Sequence, residues 1–127
     1  MEKPSAPVTS RFGILQIAIV VLTVATAYIH VRVTDFAPFD LFGINSFLLT
    51  AAGYVGLLLA LYLPIRLLQR YRRPIRWLLI LFTAGIVIGW VFIGQRITEA
   101  YISKAIEVVL IALLIVEDRQ AQKAIVA

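Results

Sequence analysis

The chain has no cysteine, a single histidine (His30) and a single methionine (Met1), and only 15% of its residues are charged. Without cysteine there are no disulfides and no thiolate metal sites. A b-type haem takes two axial side chains, so one histidine supplies at most half of such a site. No Ser-His-Asp set, zinc-ligand spacing or phosphate-cradling glycine loop occurs, and Asp35 with Asp40 on one short loop make no calcium cage. Catalysis and metal binding therefore have no motif to rest on. What is abundant is apolar surface, at 61% hydrophobic residues in 127 and a mean hydropathy of +0.94. A soluble domain averages about 45–50% apolar residues, and a chain this short has too little interior to hide the excess.

The long gaps between charges locate that surface. Arg11 and Arg32 are separated by 20 uncharged residues, Asp40 and Arg66 by 25, and Arg76 and Arg96 by 19. Crossing a hydrocarbon core of roughly 30 Å takes about 20 mostly apolar residues in a helix. A fourth segment, 97–117, is interrupted by Glu99, Lys104 and Glu107 but is apolar from Val108 to Val116. The expected architecture is all-α: a bundle of four transmembrane helices over 12–31, 44–65, 77–95 and 97–117. Residues 1–10 are expected to form a flexible leader, 11–118 the membrane domain and 119–127 a cytoplasmic tail. The first segment also has features of a signal peptide, with Lys3 and Arg11 before it and Ala25-Thr26-Ala27 as a small-x-small site. Its apolar stretch runs on to Arg32, however, and is long enough to span.

Lys and Arg set the orientation. Nine of them (Lys3, Arg11, Arg66, Arg70, Arg72, Arg73, Arg76, Arg119 and Lys123) fall on one side, and three (Arg32, Arg96 and Lys104) on the other. Both termini are thus expected in the cytoplasm of a prokaryotic cell, with the protein multi-pass in the plasma membrane. Arg66, Arg70, Arg72, Arg73 and Arg76 form a loop suited to fixing topology and to contacting anionic lipid. Nucleic acid is not an expected partner, since this charge belongs to a membrane loop. Gly53, Gly56 and Ala60, and the G-x-x-x-G of Gly85 and Gly89, suit close helix packing within the bundle or across a homodimer.

Polar residues inside the apolar segments carry the functional expectation. Gln16, Thr23, Thr26 and His30 share one arc of the first helix, and Arg96, Glu99, Ser103 and Glu107 one arc of the fourth. Lys104 and Glu107, at i,i+3, can pair with each other, and Tyr54 lies at the depth of Glu107. Two readings follow. The pair fixes helix register, or it serves an outward-facing pocket lined by His30, Tyr54, Tyr101, Ser103, Lys104 and Glu107. His30 is expected near the outer surface and solvated. A pigment that takes a single ligand remains an alternative for it, but no cofactor is expected.

The runs Phe47–Arg66, Arg73-Pro74-Ile75-Arg76-Trp77 and Tyr101–Asp118 resemble a family of uncharacterised small four-helix membrane proteins found in Chloroflexota and in archaea. The most specific piece is Lys104-Ala105-Ile106-Glu107. The resemblance implies a membrane setting and a four-helix fold, and no activity. Two function classes remain: a non-catalytic accessory subunit of a larger membrane complex, or a small transporter or ligand-binding protein using the pocket. An enzyme is not expected.

Overall fold

The computed structural model describes residues 13–37, 39–94 and 96–126, and these are overwhelmingly helical. The leader, together with Lys3 and Arg11, lies outside the described residues. Helix α1 runs from Ile14 to Arg32. Its first turn is tied by Gln16, whose side-chain carbonyl accepts from the Gly13 N–H at 2.9 Å. A short 3-10 turn at Thr34–Phe36 leads to a two-residue hairpin, in which β1 (Asp40–Leu41) pairs with β2 (Ile44–Asn45). Its tip, Phe42-Gly43, has positive φ at both positions (54° and 77°). That is the backbone a type I′ turn demands, and Gly43 adopts it without strain. Asn45 then joins hairpin to helix: its side chain accepts from Phe47 N and donates to the Thr34 carbonyl, each at 2.9 Å.

Helix α2 spans Ser46–Tyr62 and stops before Pro64, which lacks an N–H and forces the preceding residue into extended backbone. Arg72 donates to the Leu61 carbonyl at 2.9 Å and so satisfies part of that helix end. The arginine-rich segment is not one loop. It forms a short helix α3 (Arg66–Arg70), and Arg72, Arg73 and Arg76 belong to the start of α4 (Arg72–Ile93). Pro74 sits in the first turn of α4, where no N–H is needed for the ladder. Helix α5 covers Thr98–Val126 in one piece, so 119–126 continues the helix rather than forming a separate tail.

α1 packs on α2 and α5, and α4 packs on α2 and α5, giving a ring with α1 opposite α4 and α2 opposite α5. Among the described residues, only α1 and α4 are both long enough and apolar enough to cross a membrane by length and composition; α2 is apolar but has 17 residues. The distribution of polarity is inverted relative to a water-soluble bundle. Thr23, Thr26, His30, Glu107, Glu117 and Arg76 are buried, whereas Val21, Val24, Leu81, Ile88 and Phe92 are exposed. The most apolar stretches of α1 and α4 are only 28% and 22% buried by the protein itself, unlike the core helices of a soluble domain. A middle layer of Ile19, Leu58, Leu61, Leu79, Leu110 and Leu114 is fully or almost fully buried and separates polar groups above from those below.

The glycines divide. A Cβ on Gly53 would lie 2.6 Å from Cζ of Phe82, whose ring stands edge-on to Tyr54 at 5.0 Å. At Gly56, Gly85 and Gly89 a Cβ would meet nothing within 4 Å. Close intramolecular approach therefore applies at Gly53, and the Gly85/Gly89 spacing marks open space instead of a helix seam. Gly53→Ala is expected to lower stability by about 1–3 kcal/mol through overpacking, and Gly56→Ala to leave it nearly unchanged. Thermal unfolding of the purified variants in one detergent checks the contrast.

Candidate functional site

Helix α5 supplies the spine. Ser103, Glu107, Leu110, Leu114 and Glu117 are all buried, and their four-three-four-three spacing keeps one seam inward along a long helix. The seam is polar at both ends and leucine in the middle.

Toward the Thr98 end of α5, Glu107 is fully buried, a placement that demands partners for its charge. Its Oε1 lies 2.9 Å from Nζ of Lys104. Its Oε2 accepts from the Tyr54 hydroxyl at 2.9 Å and from Thr26 Oγ1 at 2.8 Å. Tyr54 reaches it from α2 across the diagonal of the ring, a distance that only a long rigid side chain bridges. Thr26 spends its hydrogen on Glu107, so in its 2.8 Å contact with Ser103 Oγ the serine donates. His30 Nδ1 is 2.8 Å from the carbonyl of Thr26. A carbonyl only accepts, so Nδ1 carries a hydrogen and Nε2 is the nitrogen turned to Glu107, 3.9 Å from Oε2.

Above this cluster all four long helices line a cavity of about 230 Å³. His30, Ser103 and Lys104 are at its wall with Ser46 and Thr50, and Phe39, Phe47 and Trp90 supply aromatic surface. Among the described residues, no Asp or Glu lines it. Ser46 Oγ is buried and has no hydrogen-bond partner.

Of the residues expected to share a pocket, His30, Ser103 and Lys104 line the cavity, and Tyr54 and Glu107 are bonded to one another beside it. Tyr101 is not part of it. Its ring is 53% exposed and packs edge-on against Trp90 at 5.1 Å; two residues before Ser103, it points about 200° away around the helix. Glu99 and Arg96 are likewise exposed. Arg96 donates to the Val91 carbonyl at 2.8 Å and lies over the Trp90 ring. The expected arc on the fourth helix therefore begins at Ser103. His30 is not solvated but 3% exposed, held by its bond to Thr26 and by the edge of Phe47 at 5.2 Å.

A second cluster, around Glu117 and Asp118, is one the polar pattern did not single out. Glu117 accepts from Arg76 Nε at 2.8 Å, the Tyr62 hydroxyl at 2.6 Å and Gln16 Nε2 at 3.0 Å. Asp118 Oδ1 accepts from Arg76 Nη1 at 2.8 Å and Arg73 Nε at 3.3 Å. Arg76, buried between two carboxylates, is thus withdrawn from any lipid surface, contrary to expectation. Arg72 is turned to the end of α2 and Arg73 to Asp118, so Arg66 and Arg70 remain the exposed cations of that set without an acidic partner among the described residues. The signal was present as a repeat: Tyr62 follows Tyr54 by eight residues, and Glu117 follows Glu107 by ten. Each tyrosine meets one carboxylate. Among the described residues, no group of three or more His, Asp or Glu is placed to hold a metal ion.

Comparison with protein-family models, curated proteins and solved structures finds no match to this chain.

Proposed function

We propose that the chain is a multi-pass protein of the prokaryotic plasma membrane, with four spans and cytoplasmic termini, that holds a small molecule in its outer cavity. The observation that carries the ligand reading is the cavity itself: it is walled by apolar side chains, yet a buried lysine and an unpartnered buried serine open onto it. Such convergence of few polar groups in an apolar pocket is the usual form of a small-molecule site. The four-span reading is supported by the outward apolar faces of α1 and α4. Helix α5 contributes too, since Lys104, Glu107, Glu117 and Asp118 face inward while Val108, Val109 and Val116 face out. At 17 residues α2 is within the range of about 17–25 that spans a bilayer. Arg66 and Arg70 are the anionic-lipid contacts of this arrangement.

The absence of cysteine makes a clean test, because any introduced thiol is unique. In intact cells an impermeant maleimide is expected to label Ala100→Cys, at the cavity wall, from outside. Gln120→Cys is expected to react only after permeabilisation. The opposite pattern overturns the orientation, and an Ala100→Cys protein inert under both conditions overturns the open cavity.

A second reading, a non-catalytic structural component of a larger membrane complex, is favoured by the Glu107 cluster, whose charge is offset by Lys104 and whose Oε2 is hydrogen-bonded within the chain. Co-migration with a large complex on purification from native membranes would support it.

A further inference from the structure

The hydrogen-bond arithmetic of the cavity wall specifies what kind of ligand it accepts. Most polar hydrogens there are already spent. Thr50 donates to the Ser46 carbonyl at 2.9 Å, Ser103 to Thr26, and His30 Nδ1 to the Thr26 carbonyl. Two donors remain. The ammonium of Lys104 has three hydrogens and one ion-pair partner, Glu107 Oε1, which lies 2.9 Å away without hydrogen-bond geometry, and the buried hydroxyl of Ser46 has no partner. With no carboxylate among the described residues of the wall, these unspent hydrogens call for a ligand that accepts hydrogen bonds.

Charge narrows the head group further. Lys104 and Glu107 cancel at 2.9 Å, so a carboxylate or phosphate would leave a net negative charge in a space walled by Ile29, Ile86 and Ile93. An ammonium would meet the free hydrogens of Lys104. A neutral oxygen acceptor takes up both donors with no unpaired charge. We propose, building on the ligand reading above, that the cavity takes an uncharged amphiphile whose carbonyl or ester oxygen accepts from Lys104 and Ser46. Its hydrocarbon body lies against the isoleucines and Trp90. That chemistry has two sources, an ester of a membrane lipid or a free small molecule.

The test uses the full chain in phosphatidylcholine nanodiscs at neutral pH. A Trp77→Phe background leaves Trp90, in the cavity wall, as the sole tryptophan reporter. Three probes share one body: cyclohexyl methyl ketone, cyclohexanecarboxylate and cyclohexylmethylammonium. The ketone is expected to shift Trp90 emission saturably and to bind at least about tenfold tighter than either ion, as expected for one hydrogen bond from a charged donor. Ser46→Ala, which removes no other group's partner, is expected to weaken the ketone about three- to tenfold without altering thermal unfolding. Lys104→Met is expected to weaken it more. Mass spectrometry of the released protein separates the sources: a retained ester lipid displaced by the ketone identifies the lipid, and a lipid-free protein that binds the ketone identifies a free molecule. An ion that binds as tightly as the ketone, or a Ser46→Ala protein with unchanged affinity, overturns the head-group assignment and leaves the ligand reading standing. No binding of any probe together with no retained lipid overturns both.

Discussion

Glu107→Gln is expected to be the most destabilising single substitution in the protein, lowering unfolding free energy by about 3–5 kcal/mol, the usual cost of removing one member of a buried ion pair. The carboxylate is the acceptor for Tyr54 and Thr26 and the counter-charge for Lys104. A neutral amide keeps the shape and one carbonyl, so two hydroxyl donors survive in part. The ammonium, only 8% exposed, is left with no opposite charge. Lys104→Met is expected to cost less, because Glu107 then keeps its two hydroxyl donors. The double variant Lys104→Met/Glu107→Gln is expected to recover part of the loss, since no uncompensated charge remains. Thermal unfolding in detergent of the four proteins gives the coupling directly. Strictly additive losses would mean that the two groups do not pair. The same double variant separates the two functional readings: a normal fold that no longer binds the ketone places the pair in a ligand site, and normal binding confines it to helix register.

Arg76→Met is expected to have the next largest effect, again about 3–5 kcal/mol. Arg76 is 3% exposed and is the one residue that bonds both Glu117 and Asp118. Without it Glu117 loses its arginine, and Asp118 keeps only Arg73, whose side chain is 57% exposed and whose contact is longer at 3.3 Å. Tyr62 and Gln16 still serve Glu117 but bring no charge. Arg76→Lys is expected to restore only part of the loss, because an ammonium cannot present two divergent N–H groups in the fixed fork that spans Glu117 and Asp118. Arg66→Met and Arg70→Met, at exposed positions, are expected to leave unfolding unchanged. If Arg76→Met unfolds like Arg70→Met, the Arg76–Glu117–Asp118 cluster contributes nothing to holding α4 on α5.

The contrast between these arginines shows where sequence reading stops. Arg66, Arg70, Arg72, Arg73 and Arg76 look alike in the chain. What separates them is that Tyr71 ends one helix and Arg72 begins another, which turns Arg76 inward by the angle its place on α4 dictates. Tyr101 and Ser103 differ in the same way: two positions apart, they face opposite sides, and only the rotation of α5 in the bundle decides which one faces the cavity. The Gly85/Gly89 spacing matched a packing motif, yet no neighbouring backbone comes near enough to use it.

Local interactions made much of the rest legible. Helix ends follow from Pro64 and from the stretches between charges, because a missing N–H and the transfer of apolar residues from water act within a few residues. The Lys104–Glu107 pair was legible for the same reason, since i,i+3 spacing on one helix brings two side chains together in any helical context. The amino-acid sequence by itself thus determined the helical class, the apolar stretches and that one pair. The tertiary structure alone decided that Tyr54 and Thr26 complete the Glu107 site, that Arg76 locks Glu117 to Asp118, and that four helices leave a cavity over Lys104. Each of these contacts joins residues tens of positions apart, and which buried polar groups meet is decided by the rotation and crossing of whole helices, a sum of weak packing terms that no short window of sequence contains.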